Sequence, residues 1–289
     1  MRAPTLLPVL CAAWTASAFQ PTALRPALRR AKAAASLRPP ALRAEGPETG
    51  NVGEEPLVAV WNAAALVASG GVVLTAAEYF PSVWPTPALL LLVSRIAAVQ
   101  SSAAKRGRSG ASTFRVLDVG LAAGAAVGAV GVAAVAATSP GMLSTTGGAF
   151  AALGFAALGV PPALSLLKHG LPTALKFPLT GEPLTWLLAL LQVEGLVRAA
   201  CLAAAGQVGA AALMLPLLAA LNAAQDAAAV GPDRLASRTY LELNVMIGIV
   251  GVSRALVGGD LGGPLAFNGW NGAWTAIGGT IGVLKGLGF

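Results

Sequence analysis

Residues 116–138 read VLDVGLAAGAAVGAVGVAAVAAT, and this stretch decides the fold class of the chain. Its only charged residue is Asp118, and its length meets the requirement of about 20 apolar residues for an α-helix that crosses a bilayer. Similar runs recur along the chain, which is 56% hydrophobic and 11% charged, well below the roughly 25% charged residues of an average soluble domain. The sequence therefore predicts an all-α fold, a polytopic transmembrane helical bundle.

Apolar runs between helix breakers predict about eight spans within a membrane domain that covers residues 57–289. The predicted spans are 57–79, 87–104, 116–138, 143–167, 184–206, 208–224, 240–257 and 265–286. The second is short for a crossing, and the sixth contains Pro216, which predicts a kink. In the fourth, Pro161 and Pro162 predict that the crossing ends near Val160 and that a short interfacial helix follows, up to Phe177.

The basic residues of the loops support the count of eight, because translocated loops are poor in Lys and Arg. With eight spans, all the basic loop residues fall on one side of the membrane, and the loops at 80–86, 139–142, 207 and 258–264 contain none. The residues on the basic side are Lys105, Arg106, Arg108, Arg115, Lys168, Lys176, Arg234, Arg238 and Lys285.

The formal net charge of +7 arises in the first 43 residues. Their basic residues, which are accompanied by no acid, are Arg2, Arg25, Arg29, Arg30, Lys32, Arg38 and Arg43. From Glu45 onward the basic and acidic residues are equal in number, so the mature chain has no overall attraction for phosphate, and we expect no nucleic-acid partner.

The first 18 residues have the three parts of a signal peptide: a basic start, a short apolar segment and the small residues Ala16-Ser17-Ala18 before a cleavage site. Residues 19–44 are rich in Arg, Ala and Pro, as in an organelle transit peptide, and residues 45–56 form an acidic, flexible mature N-terminus. The run ASAFQP at 16–21 resembles the ASAFAP-type junction of bipartite plastid-targeting presequences in algae with a secondary red plastid. The resemblance keeps Phe19, departs at Gln20, covers only the leader, and extends to no family for the membrane domain.

This resemblance implies a plastid membrane, either thylakoid or envelope, with the basic side and both mature termini in the stroma. An ordinary secretory signal followed by a disordered basic linker is the alternative reading of the leader.

Charged residues inside the apolar spans are the candidates for an intramembrane polar site, because each costs about 2.5–3.5 kcal/mol at the centre of a helix. Arg95 lies in the second span, Glu194 and Arg198 in the fifth, and Arg254 in the seventh. Glu194 and Arg198 are four residues apart, so the spacing predicts a pair on one helix face. Glu78, at the end of the first span, is predicted to lie at the depth of Arg254.

Two further acids, Asp118 and Glu242, lie near predicted span ends, and we expect them to be solvated. The deep layer then contains more arginine than carboxylate, which indicates an anionic solute or lipid headgroup as a ligand. Pairing among the charges, and side chains that reach toward the interface, are the structural alternatives.

Two glycine stripes predict close helix packing in lipid: Gly120, Gly124 and Gly128, and Gly278, Gly282 and Gly286. Asn271 and Gly272 predict a turn before the last helix.

No catalytic, metal or cofactor motif is visible in the sequence, and we expect neither an enzyme nor a bound cofactor. His169 is the only histidine, which excludes multi-histidine metal sites and a bis-histidine haem within one chain, and it is expected at the surface. Cys201 is the only cysteine after the leader, so the mature chain forms no internal disulfide.

Two functions remain open, a small carrier or channel for an anionic solute, or a non-catalytic structural or assembly protein that docks a membrane-complex partner.

Overall fold

The computed structural model describes residues 55–78, 86–138, 145–172, 177–258 and 267–289, and the leader predictions lie outside these residues. The membrane domain falls within one compact unit, residues 51–289. Its described part is helical and contains no strand. The helices are α1 Glu55–Glu78, α2 Thr86–Lys105, α3 Ser112–Thr138, α4 Thr145–His169, α5 Pro183–Ala204, α6 Val208–Val230, the short α7 Pro232–Leu235, α8 Arg238–Gly258 and α9 Phe267–Leu287.

Seven of these helices, α1 to α6 and α8, are long and apolar enough to cross a membrane. The last helix, α9, has 21 residues, about 31 Å at 1.5 Å per residue, and two asparagines lie in its first turns. The predicted all-α bundle of about eight spans is confirmed. Among the eight predicted ranges, the largest difference in bounds is at α6, which continues to Val230, six residues beyond the end of the predicted range.

Two helices, α2 and α6, form the centre of the bundle. In the most apolar stretch of each of these two helices, 72% is buried inside the bundle, compared with 22% in α1, α4 and α5. The outer helices expose large apolar side chains such as Leu66, Leu153 and Leu190, whose exposed fractions are 65–75%. A soluble monomer rarely exposes such large apolar faces, whereas hydrocarbon solvates them. The chain is therefore an integral membrane protein.

The first glycine stripe packs α3 against two neighbours, as predicted. A Cβ atom on Gly120 would lie 2.4 Å from the Ala219 Cβ of α6, and one on Gly124 would lie 2.7 Å from the Ala212 carbonyl oxygen. A Cβ atom on Gly128 would overlap the ring of Phe155 in α4. The small residues thus allow the backbone of α3 to approach both helices closely.

The second stripe contacts three different partners. Gly278 faces Leu191 of α5, Gly282 faces Asn244 of α8, and Gly286 faces the Leu235 carbonyl of α7. The closest approach between α8 and α9 instead uses glycines that the prediction missed: Gly248, Gly251, Gly272 and Gly279.

The prolines do not end the helices that contain them. α4 is continuous through Pro161 and Pro162 to His169, and residues 170–172 and Phe177 are not helical, so the predicted end near Val160 and the interfacial helix are wrong. Leaving the helix within lipid would expose several backbone groups, whereas continuing it loses only the hydrogen bonds of the proline nitrogens. α6 is likewise continuous through Pro216, where a kink stays a prediction.

Side-chain contacts gather the basic connections at one end of the bundle, which we call the basic end. Ser109, between α2 and α3, bonds to His169 at the end of α4, and Arg115 donates to the carbonyl of Leu171. Lys285 near the end of α9 pairs with Glu182, which precedes α5. The alternation predicted from the charges therefore matches the packing of the described connections.

Candidate functional site

The carboxylate of Glu194, near the middle of α5, accepts three hydrogen bonds on one oxygen. Arg254 of α8 donates to Oε1 from Nη2 at 2.7 Å, and Arg198 donates from Nε at 3.0 Å. Asn271 of α9 donates from Nδ2 at 3.2 Å. The predicted pair of Glu194 and Arg198 is thus present, and it is joined by residues from two other helices. We call these four residues the Glu194 cluster.

Glycines explain how the Glu194 cluster assembles. A Cβ atom on Gly251 would lie 2.2 Å from the Ala276 nitrogen, and one on Gly272 would lie 2.3 Å from the Ala255 nitrogen. Because these positions carry no side chain, α9 lies directly on α8. Asn271, next to Gly272, and Arg254, next to Ala255, therefore reach the same carboxylate.

The Glu194 cluster is deep in the bundle. Glu194 lies about 15 Å along the helix from either end of α5 at 1.5 Å per residue. The exposed side-chain fractions are 3% for Arg254, 13% for Arg198 and 19% for Glu194. Two guanidinium groups at this depth share one carboxylate, so the cluster has an excess of positive charge.

Two atoms of the Glu194 cluster are buried without a hydrogen-bond partner among the described residues: Arg254 Nε, a donor, and Glu194 Oε2, an acceptor. Buried polar groups in native proteins are nearly always satisfied. One ligand that offers both an acceptor oxygen and an O–H donor would satisfy both atoms. The Glu194 cluster thus keeps one donor and one acceptor for which the described residues supply no partner.

Arg95 belongs to a different cluster. It pairs with Glu242 of α8 at 2.9 Å, and Arg238 donates to the same oxygen at 2.7 Å. Glu242 precedes Arg254 by twelve residues in α8, about 18 Å along the helix. The structure thus divides the predicted candidates between two carboxylates, and the expectation that Glu242 is only solvated is wrong.

Glu78 is the last residue of α1, and its side chain and its predicted proximity to Arg254 lie outside the described part of the chain.

Asp118 is the second acid that the sequence placed wrongly. It is fully buried in α3, where Gln100 of α2 and Ser165 of α4 donate to it. The number of residues from the helix end predicts how far along the helix a residue lies, but not whether its side chain faces the core of the bundle. Asp118 is solvent-free because α3 turns it toward α2 and α4.

The prediction of a turn at Asn271 and Gly272 is also wrong, because both residues lie inside α9. Asn–Gly pairs favour turns in water, but here the glycine is needed for helix contact and the asparagine for a buried hydrogen bond. A signal for this role was available, since Asn271 is a polar residue at the start of an otherwise apolar run.

A set of buried amides, which sequence reasoning missed, holds α5 to α6. Gln192 donates to Gln225 Oε1 at 2.7 Å, and Asn222 donates to Gln192 Oε1 at 3.2 Å. Gln225 also donates to the carbonyls of Pro178 and Thr185. Hydrogen bonds between helices stabilise membrane bundles by about 0.6 kcal/mol each on average. The amides hold α5 in a fixed orientation against α6, and this orientation sets the direction in which Glu194 projects.

No set of three or more His, Cys, Asp or Glu side chains in the described ranges could hold a metal ion. His169 is half-buried, next to the basic end, and Cys201 is an exposed free thiol.

Comparison with protein-family models, with curated proteins and with solved structures finds no match to this chain.

Proposed function

We propose that this integral membrane protein is a small carrier or channel for an anionic solute, with the Glu194 cluster as its binding site. The observation that carries the proposal is the pair of arginines on one carboxylate deep in the bundle, with Arg254 Nε and Glu194 Oε2 given no partner by the described residues. Ionisable side chains within membrane spans commonly belong to solute pathways.

The geometry suggests how an anion is held. Arg254 and Arg198 supply donors, and Glu194 keeps the two guanidinium groups oriented and moderates their charge. Because Glu194 Oε2 is an acceptor, a solute with an O–H group, such as hydrogen phosphate or hydrogencarbonate, is favoured over one without, such as sulfate or chloride. A fully cationic site would hold any anion too tightly for release, so the carboxylate also keeps binding reversible.

Flux into liposomes tests this function. Protein reconstituted into liposomes is expected to take up radiolabelled phosphate faster than sulfate, and Arg198→Gln and Arg254→Gln are expected to lose uptake. Arg106→Gln is the matched control, because Arg106 is exposed and, among the described residues, its side chain bonds only to Ser102. Uptake that survives both cluster variants, in protein shown to be folded, would contradict the assignment.

The second candidate function is a non-catalytic structural or assembly protein. It is favoured by the buried amides and by the Arg95 and Glu242 pair, which join helices without a ligand. This function predicts no flux of any anion and co-purification with a membrane complex, such as a photosystem or a protein-import complex. Co-purification of a phospholipid without flux would instead identify a lipid headgroup as the ligand of the Glu194 cluster.

A plastid membrane is the proposed location, supported by the two-part leader with Phe19 in the ASAFQP run. Under this proposal the basic end faces the stroma, because loops rich in Lys and Arg stay on the side from which the protein is inserted.

A further inference from the structure

Asp118 is a buried carboxylate that the anion site does not use. It has no exposed surface, and its two hydrogen bonds come from neutral donors: Gln100 Nε2 to Oδ1 at 2.8 Å and Ser165 Oγ to Oδ2 at 2.6 Å. Gln100 is itself fully buried and also donates to the Phe114 carbonyl at 2.8 Å. The carboxylate therefore lies among three helices, α2, α3 and α4.

The charged side chains of the neighbouring helices bond to other groups or are exposed. On α3, Arg115 donates to the carbonyls of His169 and Leu171. On α4, His169 lies one turn after Ser165 and bonds to Ser109, and Lys168 is exposed. On α6, which also packs against α3, the nearest titratable residue toward the basic end is Asp226, an acid. The basic residues at the end of α2 and just after it, Lys105 and Arg106, are exposed.

The deeper arginines belong to other carboxylates. Arg95 and Arg238 bond to Glu242, and Arg198 and Arg254 bond to Glu194. Among the described residues, Asp118 thus forms no salt bridge. A buried carboxylate without a cation is strongly disfavoured as an anion, and it becomes neutral by taking up a proton.

The surroundings of Asp118 accept either charge state. The hydroxyl of Ser165 donates to the ionised carboxylate, and by rotation it accepts from the protonated one. Gln100 Nε2 can donate to Oδ1 in both charge states, because the carbonyl oxygen of a protonated carboxyl group is still an acceptor.

We propose that Asp118, with Ser165 and Gln100, is a proton-binding site inside the membrane bundle that exchanges its proton with the basic end. Asp118 lies about 9 Å along α3 from Ser112, where the helix begins at that end. Ser165 lies one helical turn from His169, and the Nε2 atom of His169 is 3.1 Å from Ser109 Oγ in the connection. Under this proposal, the proton reaches the carboxylate from that end by way of His169 and Ser165, which lie on successive turns of α4.

This inference rests on residues separate from the Glu194 cluster, and it stands whether or not the protein carries an anion. Infrared difference spectroscopy tests it, because a protonated carboxyl group in an apolar site has a C=O stretch distinct from that of a carboxylate. Purified full-length protein in lipid nanodiscs is compared between acid and alkaline buffer. The expected result is a protonated-carboxyl band that is lost in Asp118→Asn and kept in Asp233→Asn, the control at an exposed acid of the basic end.

A second measurement covers the case in which the variant folds poorly. Asn has the shape of a neutral carboxyl group, so Asp118→Asn is expected to melt at or above the temperature of the wild type in alkaline buffer. In Ser165→Ala, which removes a donor to the ionised form, the band is expected to persist to higher pH. A band that is unchanged in Asp118→Asn, or a variant that melts well below the wild type at every pH, would overturn the proposal.

Discussion

Removal of the charge of Glu194 is the sharpest test of how the bundle holds its buried arginines. Glu194→Gln keeps the size of the side chain and one acceptor oxygen, but it leaves Arg254 and Arg198 facing each other without a counter-charge. Arg254 is only 3% exposed and cannot reach water without moving its helix. Breaking a buried ion pair by removing one partner typically costs about 3–5 kcal/mol, because the remaining charge stays buried and unpaired.

The control is Arg198→Gln, which removes charge from the same cluster without leaving one unpaired. Glu194 then keeps Arg254, and only one hydrogen bond within the bundle is lost, for which about 0.6 kcal/mol is typical in membrane proteins. The two variants therefore differ by several kcal/mol although both replace one charge by an amide.

The assay is the apparent melting temperature of purified protein in lipid nanodiscs, compared at one heating rate because membrane proteins commonly unfold irreversibly. At about 2–4 °C per kcal/mol for a chain of this size, Glu194→Gln is expected to melt roughly 6–20 °C below the wild type. Arg198→Gln is expected to remain within about 2 °C of the wild type on the same scale.

Added anion provides a further check. Phosphate is expected to recover part of the loss in Glu194→Gln, because a bound anion replaces the missing carboxylate and binds only the folded state. The reasoning is refuted if Glu194→Gln melts within 2 °C of the wild type or no lower than Arg198→Gln, since the arginines would then be solvated rather than buried.

Three further predictions concern packing, topology and location. Gly251→Ala, whose Cβ atom would overlap α9, is expected to cost about 1–3 kcal/mol, whereas Gly248→Ala on the same helix, with open space at its Cβ position, should not lower the melting temperature. Equal effects of the two substitutions would contradict the helix contact. In a background without the native cysteines, Arg106→Cys and Gln207→Cys are expected to react with an impermeant thiol reagent from opposite sides of the membrane, and labelling of both from one side would refute the alternation of loops. A C-terminal fluorescent fusion in a diatom-type host is expected to reach the plastid and to be diverted by Phe19→Ala; retention of both fusions at the endoplasmic reticulum or cell surface would contradict the plastid location and leave the bundle unaffected.

The sequence by itself determined the helices and their order. In lipid every backbone N–H and C=O group of a single apolar segment must be bonded within that segment. An apolar run of about twenty residues therefore forms an α-helix, which can be predicted from the run itself. The bounds of α2 follow from such a run to within one residue at each end, and the side of the basic loops is predicted by counting Lys and Arg. The pair of Glu194 and Arg198 was also readable, because residues four apart on a helix share a face.

Which faces meet could be decided only by the tertiary structure. Ala and Gly are abundant on all sides of these helices, so no apolar stripe distinguishes a core face from a lipid face, and α2 and α6 could not be recognised as central. The partners of Glu194 on α8 and α9 lie 60 and 77 residues away in the chain, and they reach it only because glycines let those two helices touch. Asp118 shows the same dependence. The sequence puts it near the end of a predicted span, where we expected it to be solvated, and only the rotation of α3 against α2 and α4 takes it out of water. A charge in lipid is costly wherever it lies, but its partner is chosen by packing across the bundle, which local sequence does not encode.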